Sequence, residues 1–234
     1  MVSHSGNVKV ELEGRGLLTL RPGDYVRQGG EGAIWRANQT VVKLYHDSDA
    51  ARRGGMPEKI RILSKFVHPY VVSPQGCVAS DNGKFIGFYM PYVNGEPLPR
   101  TFTNDFRGRA GFGDGEAKRL VARMRETIQF AHDNGAVLVD ANELNWFVIL
   151  PGSGGPEPRV IDVDSWAIGR WPAKVIMPSI RDWHTSGFSE LTDWFTWGVV
   201  TFQIMTGIHP YKGTLAGYKR GDIEARMKAN ASVF

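Results

Sequence analysis

The sequence predicts an α+β fold in two parts. Residues 1–93 read as a small antiparallel sheet with one helix, and residues 94–234 as a mainly helical part. Three observations carry this. Short runs of period-two alternation, broken by Gly and Pro, fill residues 8–89. One long amphipathic stripe follows at 116–132. Residues 193–205, DWFTWGVVTFQIM, are apolar almost all round, the pattern of a helix buried on most sides at the centre of a globular unit.

Taken in order, residues 8–12 alternate, 17–20 are apolar, and Arg21-Pro22-Gly23-Asp24 is a turn. Residues 25–26, 34–37 and 41–45 are short strands around a glycine cluster. Pro57 sits where a first helical turn tolerates proline, with Ile60, Leu63, Ser64 and Val67 behind it on one face. Residues 71–72, 76–79 and 84–89 are further strands, the last two joined by the turn Asp81-Asn82-Gly83.

Residues 94–115 are rich in Gly, Pro, Asn and Arg and read as a linker or surface loop. The helix over 116–132 aligns Leu120, Val121, Met124, Ile128 and Ala131, and Gly135 stops it. Two apolar runs, 136–139 and 146–150, lead into a loop at 151–158 and a strand at 160–161. No internal repeat is present. Only a short stretch follows the buried helix, ending on Val233 and Phe234. That predicts a minimal or truncated helical part, or a partner that covers its end.

An apolar fraction of 42% with 22% charged residues excludes disorder along the whole chain. The net charge is +4, but its cations are scattered. The densest basic stretch runs from Arg100 to Arg125 with acids interspersed, as on a solvated helix face, so nucleic acid is not the expected partner. Cys77 is the one cysteine, which excludes an intrachain disulfide or a cysteine zinc cluster and fits a reducing compartment. Lys9, Glu11, Glu13 and Arg15 interrupt any signal-peptide core, and no stretch is long and apolar enough to cross a bilayer. A cytoplasmic protein with no membrane partner is expected.

The chemistry-bearing residues fall in a definite order. Gly29, Gly30, Glu31 and Gly32 lie between two strands, and glycines there let backbone N–H groups approach phosphate oxygens. A tight hairpin accounts for the same cluster. Lys43 follows in the strand VVKLY, on the opposite face from Val42 and Leu44; a lone strand lysine commonly faces solvent. Residues 137–148 place Asp140 and Asn145 five apart between apolar runs. Asp162 and Asp164 hang from the end of another apolar run. Asp140, Asn145 and Asp162 suffice for one base and two oxygen ligands to a hard cation. Helix caps explain each singly, but not the order glycine loop, Lys, Asp-x4-Asn, Asp.

In that order the sequence resembles the protein-kinase fold over nearly its whole length, a bilobal fold with a small sheet lobe and a larger helical lobe. Arg27, Gly29, Gly32 and Ile34 fall on its G-x-G-x-x-G-x-V pattern, with Arg27 in place of the first glycine. The resemblance makes Gly29, Gly30, Gly32, Ile34 and Lys43 nucleotide-binding, with Met90 the gatekeeper. Pro91 would offer a carbonyl, and the Val93 backbone a donor, to adenine. Glu58, at the start of the following helix, becomes the expected partner of Lys43; Glu31, inside the loop, does not. Asp140 becomes the base, Asn145 and Asp162 the magnesium ligands, and Asp193 the aspartate that tethers the catalytic loop. A plain N-cap is the other reading of Asp193. The wording GGEGAIW, VVKLY, VDANELN, VIDVDSW and GIHPYKG resembles a divergent bacterial and phage group of kinases. ATP and Mg²⁺ are the implied cofactors and a protein the implied substrate. The compartment would be the cytoplasm, or the virion if phage-encoded.

The chain also departs from that pattern. Leu138 and Val139 replace His and Arg of H-R-D, removing the usual grip on a phosphorylated activation loop. Asn142 replaces the lysine that faces the transferred phosphoryl, and Val163-Asp164 replaces Phe-Gly. Asp164 then either binds a second cation or makes a structural salt bridge. Residues 177–182 occupy the A-P-E position, with Asp182 standing in for its glutamate; Ser179, Thr185 and Ser186 are modifiable hydroxyls. Trp194 and Trp197 suit the core, whereas Trp166, Trp171 and Trp183 flank the segment and would mark a docking surface. The implied activity is Ser/Thr-type protein phosphorylation. The alternatives are a pseudokinase or structural scaffold, including a virion component, and a small-molecule kinase, for whose inserted substrate lobe there is no room.

Overall fold

The computed structural model describes residues 6–150, 154–173 and 175–234. It is α+β, with a curled antiparallel half-barrel sheet and, among the described residues, six helices. Two compact units divide the chain: Met1–Val67 with Val72–Val93, and His68–Val71 with Asn94–Phe234.

In the first unit the strands are β1 (Val8–Leu12), β2 (Gly16–Leu20), β3 (Tyr25–Gln28), β4 (Gly32–Ala37) and β5 (Thr40–Tyr45). Helices α1 (Ser48–Arg53) and α2 (Met56–Leu63) follow, then β6 (Gly76–Ser80) and β7 (Phe85–Pro91). The sheet order is β2-β1-β6-β7-β5-β4-β3, every neighbour antiparallel. Irregularities between Tyr25 and Arg27 and between Val78 and Ala79 add to the natural strand twist and help the sheet curl. Val42 and Leu44 enter a core with Val10, Leu12, Leu20, Trp35, Val78 and Tyr89. Strand β5 lies between β4 and β7, with Lys43 opposite Ile34 on one side and Phe88 on the other. The ladder there is tight. A Cβ on Gly32 would stand 2.4 Å from the Leu44 carbonyl oxygen, and one on Gly87 only 2.0 Å from that of Lys43.

Three expectations for this half need correction. The half holds two helices instead of one: α1 is additional, and the Asp47 carboxylate caps it by accepting from the Ala50 N–H. Helix α2 ends at Leu63, where the chain turns through Ser64, so Val67 is 87% exposed instead of sharing the buried face. Residues 71–72 form no named strand: Val71 makes an isolated parallel bridge to Val160 within the second unit.

The second unit holds β8 (Glu96–Pro97), α3 (Asn104–Ala110), α4 (Asp114–Asp133), β9 (Ala136–Val137), β10 (Trp146–Ile149), β11 (Glu157–Val160), β12 (Ala167–Ile168), α5 (Glu190–Thr206) and α6 (Ile223–Lys228). Residues 94–115 are therefore no plain loop: Thr103 caps α3, and Phe106 and Phe112 are buried. The first residues of the expected 151–158 loop lie outside the described residues. The stripe of α4 is buried as the periodicity requires, with Leu120, Met124, Ile128 and Ala131 inside and Val121 half-buried. Helix α5 is more open than its composition predicts. Thr192, Asp193, Thr196, Val199, Val200 and Ile204 are buried, but Trp194 and Trp197 are half-buried and Leu191 is exposed. Trp166 is buried, so it belongs to the core and not to a docking surface. Among the described residues no helix is long and apolar enough to cross a membrane.

The tight ladder makes a direct prediction. Gly32→Ala and Gly87→Ala each overpack the sheet and cost about 1–3 kcal/mol, read as an earlier urea midpoint. Gly30→Ala, whose Cβ meets nothing within 4 Å, changes stability by less than about 0.5 kcal/mol.

Candidate functional site

The glycine cluster forms a two-residue hairpin between β3 and β4. The Gly29 N–H donates to the Gly32 carbonyl at 2.8 Å, leaving Gly30 and Glu31 at the tip. His46 fastens the hairpin to the end of β5: its backbone N–H donates to the Glu31 carbonyl at 2.9 Å, and its Nε2 lies 2.9 Å from the Gly29 carbonyl oxygen. Gly32 is a glycine because the sheet demands it. Gly29 and Gly30 meet no such limit, so their bare backbone leaves space that a phosphate group can use.

Lys43 is buried, not solvent-facing, and its Nζ lies 5.8 Å from the ring centres of Tyr45 and Phe88. Its Nζ also stands 3.8 Å from the Glu31 carboxylate. This corrects the expectation that Glu31 is no partner. The loop carboxylate reaches Lys43 because the hairpin folds back on β5. Glu58 lies on the exposed side of α2, whose buried residues are Met56, Lys59, Ile60 and Leu63. Ile34 is half-buried on β4, Met90 is buried at the end of β7, and Val93 is half-buried just beyond it.

In the second unit the Asp193 carboxylate organises the loop before Asp140. Oδ2 accepts the Leu138 N–H at 2.7 Å and lies 2.9 Å from His132 Nε2; Oδ1 accepts the Val139 N–H at 2.8 Å. Asp193 lies inside the first turn of α5, with Ser189 as the N-cap, so the N-cap reading does not hold. Val139, a β-branched residue, has φ +63°. Such a conformation is costly and persists only where its surroundings impose it. Here the grip on two consecutive N–H groups imposes it.

The register of β10 with β11 brings the metal-ligand candidates to one end of a hairpin. Trp146 pairs with Val160, and the Ile161 N–H donates to the Asn145 carbonyl at 2.9 Å, so Asp162 is the residue after the one paired with Asn145. The pairing of β9 with β12 joins the chain before Asp140 to the chain after Asp162. Asn145 Nδ2 donates to the Asp140 carbonyl at 2.8 Å, which leaves the amide oxygen as an acceptor for a cation. Asp162 adopts φ +60°, and Ser165 holds that turn by donating both N–H and Oγ–H to the Asp162 carbonyl. Asp140 Oδ1 accepts the Met177 N–H at 2.9 Å, which orients the carboxylate and leaves Oδ2 for a proton. Asn142 is taken up as a cap, its Oδ1 accepting the Leu144 N–H. Asp164 is buried. Asp182 accepts from the His184 N–H.

Hard oxygen donors of this kind fit Mg²⁺, which keeps most of its waters and takes one or two protein ligands plus phosphate oxygens. Among the described residues no group of three or more His, Cys, Asp or Glu side chains gathers as an all-protein metal cage.

Sequence reasoning passed over His132 and His209. His132 continues the buried stripe of α4 at four-residue spacing from Leu120, Met124 and Ile128, and a polar residue on an apolar stripe was the available signal. His209 Nε2 reaches the Ser179 carbonyl at 2.7 Å, bracing the segment that follows Met177. Burial holds its imidazole below the usual histidine range, with the Ser179 bond opposing and Arg226 and Lys212 assisting. Burial lowers His68 likewise, against Glu126. No family model and no curated protein sequence matches the chain.

Two outcomes follow. Asp193→Asn cannot accept from both N–H groups and leaves buried donors unmatched, so unfolding free energy in urea falls by about 3–5 kcal/mol. His209 refuses a proton that the unfolded chain accepts, so its contribution is complete above a pH of about 6.5 and is lost as the pH falls below that value. The melting temperature therefore drops more steeply from neutral to acid pH in the wild type than in His209→Gln.

Proposed function

We propose that the chain is an ATP- and Mg²⁺-dependent phosphotransferase with a bilobal protein-kinase-like fold, acting on a Ser or Thr hydroxyl of a protein. The observation that carries this reading is the hairpin end where Asn145, Asp162 and the Asp140 loop converge. One arrangement there offers a proton acceptor and two oxygen ligands, which are the protein groups phosphoryl transfer most needs. Asp140 Oδ2 would take the proton of the acceptor hydroxyl, while the Met177 N–H on Oδ1 keeps the carboxylate aimed. Asn145 Oδ1 and the Asp162 carboxylate would hold Mg²⁺. Lys43 and the bare backbone of Gly29 and Gly30 would receive phosphate oxygens, with Gly32 and Ile34 shaping the loop. Met90 and Val93 would border the base. Bound ATP supplies the transferable phosphoryl, and Mg²⁺ offsets its charge.

A second reading, a pseudokinase that keeps the fold as a scaffold, draws on the loop itself. Leu138 and Val139 are buried apolar residues, and Asn142 is committed to a cap, so none of them delivers a cation to the transferred group.

Incubation with γ-labelled ATP, Mg²⁺ and a generic acceptor protein separates the two. The phosphotransferase reading expects label transfer that Asp140→Asn lowers by about 10²–10⁴-fold and Asp162→Asn abolishes. No transfer, with ATP still raising the melting temperature, would favour the pseudokinase.

A further inference from the structure

We infer that Glu31, at the tip of the glycine hairpin, positions Lys43 for the nucleotide phosphates, in the role that a helix glutamate was expected to fill. The inference rests on the phosphotransferase reading and concerns the same site.

The argument begins with burial. Lys43 has a side chain only 8% exposed, and a desolvated ammonium needs a nearby opposite charge. Glu31 supplies one at 3.8 Å from a side chain 38% exposed. Its reach is not a matter of chance side-chain sampling. The Gly29–Gly32 bond closes the turn, the His46 N–H holds the Glu31 carbonyl, and Gly32 admits no Cβ against β5, so the tip is pinned to the strand that carries Lys43. An ammonium carries three N–H groups, and an ion pair at 3.8 Å steers it without saturating it, so the same group can serve phosphate oxygens as well. Helix α2 turns Lys59 inward at the place next to Glu58 and leaves Glu58 on its exposed side.

The consequence is mechanistic. When the positioning carboxylate sits on a helix, the lysine is oriented by movement of that helix. With the carboxylate on the glycine hairpin, the group that covers the phosphates and the group that aims the lysine are one element. Loop placement and lysine orientation are then coupled, with no helix movement required.

Two readouts on the full chain test this, one of them free of nucleotide. The first is pulse labelling of Lys43 by an amine-acylating reagent, read by peptide mass spectrometry, in wild type, Glu31→Gln, Glu31→Asp, Glu58→Gln and the surface control Glu11→Gln. A carboxylate beside an ammonium favours the protonated, unreactive form. Labelling should therefore rise roughly tenfold in Glu31→Gln, stay near wild type in Glu31→Asp, and be unchanged in Glu11→Gln. The second is calorimetric binding of Mg·ADP, which Glu31→Gln should weaken several-fold and Glu31→Asp largely restore. Unchanged labelling in Glu31→Gln, or a rise confined to Glu58→Gln, would overturn the inference. So would tighter Mg·ADP binding by Glu31→Gln, because the carboxylate would then be competing with phosphate. The expected labelling with no Mg·ADP binding by the wild type would uphold the pairing and overturn the phosphotransferase reading instead.

Discussion

The buried carboxylate of Asp193 accepts from two consecutive backbone N–H groups, Leu138 and Val139, and meets His132 on its other side. Withdrawing a carboxylate from water costs several kcal/mol unless its lone pairs are used, and here they are. The arrangement ties α4, through His132, to α5, through Asp193, and both to the loop that presents Asp140. It also explains why a valine tolerates a left-handed backbone at position 139: the turn that aims Asp140 is enforced from beneath it. Remove the carboxylate and two donors are stranded in the core just where the loop is most strained.

The candidate site is then a matter of register. Pairing of Trp146 with Val160 sets Asn145 opposite Ile161, one residue before Asp162, and pairing of Ala136 and Val137 with Ile168 and Ala167 closes the same stretch from the other side. A slip of one residue in β10 against β11 would turn every alternate side chain to the wrong face. Ser165 has a structural reason within the VIDVDSW wording, because its hydroxyl and N–H both hold the turn at Asp162. In the first unit the same logic applies to β5, where Val42 and Leu44 anchor the core and the intervening position delivers Lys43.

Alternation and helical spacing made much of this legible: β5, the α4 stripe and the positions of Asp140, Asn145 and Asp162 can be read directly from residue order. What was hidden has physical causes. Residues 94–115 look like a loop because Gly, Pro and Asn mask short elements held by the burial of Phe106 and Phe112. The six residues of α1 are too few for a period to show. Glu31 does not read as a partner of Lys43 because chain order places it in a loop, and nothing local reveals that a two-residue turn returns its carboxylate to β5. Trp166 and Trp183 look alike in sequence, yet Trp166 is core. Trp183 lies against cations, with Arg181 at 4.7 Å and Lys228 at 4.1 Å from its ring centre.

The account turns on whether these residues hold a magnesium nucleotide. Titration of the folded chain with a non-hydrolysable ATP analogue, with and without Mg²⁺, addresses that most directly. Saturable binding that strengthens when Mg²⁺ is added is the expected result, since in the proposed function Asn145 and Asp162 would engage the nucleotide only through the cation. Absence of binding in the presence of Mg²⁺, or binding indifferent to it, would contradict the account.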